Sequence, residues 1–215
     1  MKKLLIICEG HTEVRFCDQI LKTHFANLNI EIEYPLIAYS GGGIVPWVNL
    51  KNEIELHYST NPDRFITTFI DYYGLYAYHN FPEWAVAHAH ADKGDIMDIL
   101  EAGMLADLSV LSQGKFIPNI LLHEFETLAL SDHTAFSHYY DASEFNNAGL
   151  AAICALDPET VNNGKATAPS KRLEANIPNY NKVSDGVELC KLIGLNNIRA
   201  KCPRFNIWIT KLESI

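Results

Sequence analysis

Short apolar runs alternate along the chain with stretches whose apolar positions recur every three or four residues, the pattern of strands and helices in an α/β layer structure. Leu4-Leu5-Ile6-Ile7-Cys8 is an apolar run short enough for a buried parallel strand. Glu9-Gly10-His11-Thr12 then reads as a turn with Thr12 as helix N-cap, and Val14, Phe16, Cys17, Ile20, Leu21 and Phe25 fall at helical spacing over residues 13–25. Strand, glycine turn and helix make the opening half of a βαβ unit. A second strand is predicted over residues 31–39, followed by the flexible loop Ser40-Gly41-Gly42-Gly43 and a helix over residues 47–58. A third strand, Phe65-Ile66-Thr67-Thr68-Phe69-Ile70, ends directly in Asp71.

Residues 74–95 follow no clear period and predict a turn with irregular helix. Ile96, Ile99, Leu100 and Leu105 place a helix over residues 95–108, although Gly103 weakens it. Another strand is predicted over residues 115–122, running into His123-Glu124-Phe125-Glu126. Helical pattern resumes over residues 127–130 and 144–156. Asn162-Asn163-Gly164 and Ala168-Pro169-Ser170 mark a loop, Ser170 or its neighbour opens a helix carrying Lys171, Arg172 and Leu173, and the remainder to Trp208 reads as mostly helical. No repeat or linker divides the chain. The expected fold is a single α/β domain over residues 1–215, with a central, mostly parallel sheet flanked by helices and a helical C-terminal region.

Composition adds limits. The 215 residues are 48% apolar and 11% aromatic, which supports a packed core. The first apolar run is too short for a signal peptide, and no later run reaches the roughly 18 residues of a membrane span, so no membrane association is expected. Five cysteines (Cys8, Cys17, Cys154, Cys190 and Cys202), with no C-x-x-C pair, exclude a disulfide framework or zinc ribbon and favour the reducing cytoplasm. The net charge of −9 hides an asymmetry: residues 162–215 carry nine basic and four acidic side chains, a basic C-terminal extension suited to a polyanion beside an acidic centre.

That acidic centre is the main chemical signal. Glu9 and Asp71 each follow a strand that reads as central and parallel, the edge where α/β sheets bind ligands. Glu126, after another predicted strand, and Glu13, in the first helical turn, extend the set, although Glu13 also suits an N-terminal capping role. Acids that converge repel one another unless a cation or protons offset them. Magnesium is the natural cation, with manganese as its substitute: it takes oxygen ligands, keeps several waters, and is held by one or two carboxylates with substrate phosphates. His11 and His123 flank two of the acids and suit either proton transfer or loop hydrogen bonding. His88 and His90, two residues apart with no third ligand nearby, read as loop histidines rather than a zinc site. Lys171 and Arg172 offer cations to a phosphate or to the acids. Tyr72, Tyr73, Tyr76 and Tyr78 suit base stacking or packing beneath a loop. The glycine loop lacks the Lys-Ser/Thr ending of a P-loop, which argues against independent ATP hydrolysis.

Cys8-Glu9-Gly10-His11-Thr12-Glu13, Phe69-Ile70-Asp71-Tyr72-Tyr73-Gly74, His123-Glu124-Phe125-Glu126, Pro169-Ser170-Lys171-Arg172 and Cys202-Pro203-Arg204-Phe205-Asn206-Ile207-Trp208 together resemble a Toprim-like family of small proteins. Its members are often encoded beside an ABC-type ATPase, and some are nuclease effectors in anti-phage defence. The resemblance implies a Toprim-like fold with catalytic and metal-ligating roles for Glu9, Glu13, Asp71 and Glu126. Glu9 matches the first Toprim glutamate, Glu13 the second acid of the related overcoming-lysogenization nucleases, Asp71 the leading aspartate and Glu126 the later acidic ligand. Lys171 matches a basic catalytic residue. Tyr73 stands where a second aspartate is expected, and a neutral phenol is no substitute for a carboxylate ligand.

The expected function is a magnesium-dependent endonuclease acting on RNA or DNA, structured RNA such as tRNA included, under the control of an ATPase partner and with a homodimer as a plausible assembly. Two other functions remain open: a noncatalytic regulatory or assembly subunit of an ATPase complex, and another phosphoryl transfer at the same acids, such as phosphatase or primase-like chemistry.

Overall fold

A computed structural model describes residues 1–38, 40–41, 43–161 and 164–215, without the side chain of Lys165. Tyr39 and Gly42, within the expected second strand and glycine loop, and Asn162 and Asn163, in the expected Asn-Asn-Gly loop, lie outside the described residues. The chain divides into two compact units: residues 1–122 with 211–215, and residues 123–210.

The first unit is built on β1 (Lys2–Cys8), β2 (Ile30–Glu33), β3 (Phe65–Asp71) and the two short strands β4 (Phe116–Ile117) and β5 (Ile120–Leu121). All pairings are parallel, in the order β2-β1-β3-β4, with β5 also on β3. This is the expected α/β fold around a parallel sheet. Leu4 to Cys8 and Ile66 to Ile70 are buried without a polar alternation, as strands covered on both faces must be. The order carries a consequence: β2 lies on one side of β1 and β3 on the other, so successive connections leave β1 in opposite directions. Such a switch point opens a crevice at the C-terminal ends of β1 and β3.

Helix follows β1 through α1 (His11–Phe16), a π-helical turn (Cys17–Leu21) and α2 (Lys22–Ala26). Its N-cap is Gly10, in extended backbone, rather than Thr12, which is buried inside the helix. A glycine cap brings no side-chain oxygen to the first helical N–H groups. Further along come α3 (Trp47–Thr60), α4 (Trp84–Ala87), α5 (Lys93–Asp107) and α6 (Val110–Gln113). On α3, Trp47, Leu50 and Ile54 are buried at helical spacing against Ile66, Ile70 and Leu100 in the same core cluster. The expected strand over residues 115–122 is broken at Pro118-Asn119, where Pro118 has no N–H for a ladder and Asn119 bonds Thr68 through its side chain and its carbonyl instead. The second strand stops at Glu33, shorter than the pattern suggests, and Cys8 bridges to Leu36 beyond it.

The second unit is helical: α7 (Glu126–Ala129), α8 (Thr134–Tyr139), α9 (Asn147–Cys154), α10 (Pro169–Asn176), α11 (Lys182–Ile193), α12 (Leu195–Lys201) and most of α13 (Pro203–Glu213), joined by short 3₁₀ turns such as Pro158–Thr160. Pro169 at the first position of α10 and Pro203 at that of α13 sit where a missing N–H costs nothing. The basic bias after residue 161 belongs to this unit but does not set its charge. Residues 123–210 hold eight basic and ten acidic side chains, and Lys171–Glu174, Lys182–Glu126 and Lys191–Glu188 are ion-paired within it. All five cysteines are free and buried. Among the described residues, no helix is long and apolar enough to cross a membrane.

Candidate functional site

The register of the sheet brings Glu9 and Asp71 together. Cys8 pairs with Phe69, so Glu9 stands one residue beyond the last β1 position while Asp71 stands two beyond Phe69 on β3. From there the Glu9 carboxylate reaches across the strand ends, and its Oε2 accepts the Asp71 backbone N–H at 2.8 Å. The Glu9 backbone is fixed as well: its N–H donates to Phe69 O at 3.0 Å and its carbonyl accepts from Gly43 N–H at 3.3 Å. Gly43, at φ +142°, holds a backbone conformation that a side chain would strain.

Gly74 completes the setting. A Cβ there would lie 2.8 Å from Glu9 Oε1, so the absence of a side chain makes room for the carboxylate. Asp71 is 6% exposed and half-buried Glu9 sits beside it, a pair of carboxylates at the C-terminal edge of adjacent strands. Glu13 is placed differently. It is buried, and its Oε2 accepts the Gly10 N–H at 2.9 Å, which satisfies the N-cap residue's own donor at the start of α1. A Cβ on Gly10 would approach that oxygen to 3.1 Å.

Below the site, Cys8 and Cys17 place their sulfurs 3.9 Å apart. Burial, the neighbouring Cys17 and the Glu13 charge all push the Cys8 thiol well above its ordinary range, so it stays protonated and is no nucleophile. After Asp71, Tyr72 is placed differently from Tyr76 and Tyr78. Tyr72 is buried, its hydroxyl 3.0 Å from His88 Nε2 and the Lys93 ammonium 5.0 Å from its ring centre. Tyr76 and Tyr78 are exposed, with their rings stacked at 5.4 Å. His88 Nδ1 lies 2.8 Å from the Trp84 carbonyl, and the ring stacks on Trp84, so this histidine is engaged in loop structure. His11 is exposed at the start of α1.

Glu126 and Lys171 belong to the second unit. Glu126 is not at a strand end: it is the first residue of α7, five residues after β5, because the chain turns through His123 at φ +72°. Its side chain is wholly buried, with the Lys182 ammonium 3.3 Å from Oε2. Lys171 is exposed and bonded to Glu174 at 2.7 Å; that contact first, with weaker attraction from Glu124 and Glu126, raises its pKa. Two motifs meet here, since Glu124 Oε2 accepts the Ser170 N–H at 3.0 Å at the start of α10. A third joins through Glu159, whose oxygens accept the Arg204 and Phe205 N–H groups at 3.0 and 3.1 Å while its carbonyl lies 2.8 Å from His123 Nε2. Burial pushes the Glu159 carboxyl up, and the two backbone donors recover only part of that shift.

Sequence patterning missed Gly74, Glu159 and Lys182. Gly74 carried a signal in its place three residues after Asp71, within the quoted Asp71-Tyr72-Tyr73-Gly74 motif. Lys182 carried none, because its partner is 56 residues away in sequence.

Among the described residues, no group of three or more His, Cys, Asp or Glu side chains is gathered to enclose a metal ion. The donors at the strand ends still fit a hydrated one: Glu9 and Asp71 offer hard carboxylate oxygens, and magnesium that keeps most of its waters asks for one or two such groups.

No curated protein and no solved structure matches the chain. A family model matches residues 8–213, nearly the whole length, from just before Glu9 to the end of α13. The chain belongs to the family described as Domain of unknown function (DUF4276).

Proposed function

We propose that this protein is a magnesium-dependent nuclease whose cation is held by Glu9 and Asp71. The observation that carries the reading is the Glu9–Asp71 contact at the ends of β1 and β3, where the strand order reverses. A bound magnesium ion would supply an activated water and offset charge on phosphodiester oxygens. The chain itself orients the pair. Glu9 is fixed through its N–H, its carbonyl and one carboxylate oxygen, and Gly74 leaves space beside the other. Desolvation of Asp71 favours a cation as the means of keeping two neighbouring carboxylates ionised. Glu13 supports the site by fixing Gly10, the residue after Glu9.

Glu126 and Lys171 enter the reading through the Toprim-like resemblance, as do the ATPase partner, the role in anti-phage defence and the choice of nucleic acid as substrate. A cytoplasmic location is in keeping with five buried, free thiols. The test is cleavage of labelled total RNA and plasmid DNA, with and without magnesium and the candidate ATPase, by the natural chain, Glu9→Gln and Asp71→Asn. Each variant should lose about 10²–10³-fold in rate, the scale of removing one preorganised charge from a reacting centre. Cleavage unchanged by chelation or by both variants contradicts the assignment. Released inorganic phosphate without internal breaks would favour a phosphatase.

A further inference from the structure

We propose that Tyr76 and Tyr78 form a stacking platform for unpaired bases, so that the substrate class is single-stranded nucleic acid or an unpaired loop. This deepens the nuclease reading and rests on it. Tyr78 is 68% exposed and Tyr76 37%, although tyrosine rings normally bury much of their area. The rings are nearly parallel, 8° apart, which leaves flat aromatic surface facing solvent.

The loop is built to hold them there. His79 is buried, and its Nδ1 accepts the Tyr76 N–H at 3.1 Å, closing a 3₁₀ turn over Ala77–His79. Burial holds that ring below the ordinary histidine range, so it stays neutral and able to accept. The His79 ring lies edge-on to Tyr78 at 4.3 Å, and Asn80, at φ +54°, donates from its side chain to the Tyr78 carbonyl at 3.2 Å. An aromatic pair fixed by its own loop loses little freedom when a base stacks on it.

Chain geometry ties the platform to the acids. Gly74 lies directly against the Glu9 carboxylate. Tyr76 follows by two residues and Tyr78 by four, so their Cα atoms are within about 7 and 14 Å of Gly74 even for fully extended chain. A base on either ring is then within a few nucleotides of the carboxylates. The charge of this unit works against a polyanion, since residues 1–122 and 211–215 carry nine basic and sixteen acidic side chains, so the stack has to outweigh that repulsion.

The experiment measures binding of a 2-aminopurine-labelled oligonucleotide in chelator, single-stranded and as a duplex, to the full chain and to Tyr78→Ala and Tyr78→Phe, and then cleavage of the same strand in magnesium. The single strand should bind at least tenfold more tightly than the duplex. Tyr78→Ala should weaken it about 5- to 150-fold, the measured range for one base–aromatic stack. Tyr78→Phe should bind within about threefold of the natural chain, and KM should rise in Tyr78→Ala with kcat kept. Equal binding by Tyr78→Ala, or equal binding of strand and duplex, overturns the platform while leaving the nuclease reading to its own test. Stacking that depends on Tyr78 together with cleavage that ignores Glu9→Gln keeps the platform and sinks the metal site. Failure of every oligonucleotide to bind overturns the platform.

Discussion

The two units use acidic residues for opposite purposes. In the second, carboxylates are turned inward and matched: Glu159 takes the first N–H groups of α13, Glu124 takes that of Ser170 on α10, and Asp185 accepts from Tyr139, Tyr140 and Ser184. Glu126, fully buried, faces an ammonium. In the first unit, Glu9 and Asp71 stand at the ends of neighbouring strands, and the donor that orients the Glu9 carboxylate is the backbone N–H of Asp71. Helix starts and ammonium groups make an acid part of a scaffold. A second acid at a topological switch point is what the proposed cation site rests on.

Substitutions should separate these purposes. The largest effect on folding falls on Glu159→Ala, which strips two backbone donors of their acceptor at a buried position and should cost about 2–4 kcal/mol. For a chain of this size that is a fall in Tm on the order of 5–15 °C by scanning calorimetry. A loss under about 0.5 kcal/mol would remove Glu159 from the scaffold and blur the contrast between units.

Gly74→Ala acts the other way. The new Cβ meets only the tip of a flexible side chain, so Tm should stay within about 2 °C, while displacement of the Glu9 carboxylate should lower cleavage roughly tenfold. Unchanged cleavage would mean that the position of Glu9 does not matter to the chemistry.

The smallest effect is in pH. Burial raises Asp185, but the Asn181 N–H and the Ser184, Tyr140 and Tyr139 hydroxyls outweigh it, and the net pKa is lowered. Its contribution is present above the ordinary carboxylate range and is lost as pH falls through the depressed folded value. Glu159 has the opposite sign: its raised folded pKa makes its contribution greatest below the ordinary range and smaller as pH rises. Asp185→Asn should therefore differ from the natural chain most at pH 7 and converge on it only as pH falls below the ordinary carboxylate range, as urea midpoints would show.

Much of the first unit was legible because strands covered on both faces leave unbroken apolar runs, and because Glu9 and Asp71 follow such runs directly. Strand pairing was not legible: the order β2-β1-β3-β4 depends on contacts far apart in sequence, and it is that order which puts the two acids on neighbouring strands. Glu13 was read both as an acid of the site and as a capping residue; the structure gives it the capping bond, since Gly10 rather than Thr12 starts the helix. Glu126 reads as following a strand because residues 115–122 are mostly apolar, yet the ladder is interrupted at Pro118-Asn119 and the positive φ of His123 turns the chain into α7. The basic C-terminal bias was real in sequence and compensated in space, as Lys171, Lys182 and Lys191 face acids of their own unit.

The central claim is that Glu9 and Asp71 hold a divalent cation, and manganese titration followed by electron paramagnetic resonance tests it without any substrate. The natural chain should take up manganese in competition with magnesium, and Glu9→Gln and Asp71→Asn should each weaken uptake at least tenfold with Tm unchanged. Equal manganese uptake by the natural chain and both variants would contradict the account.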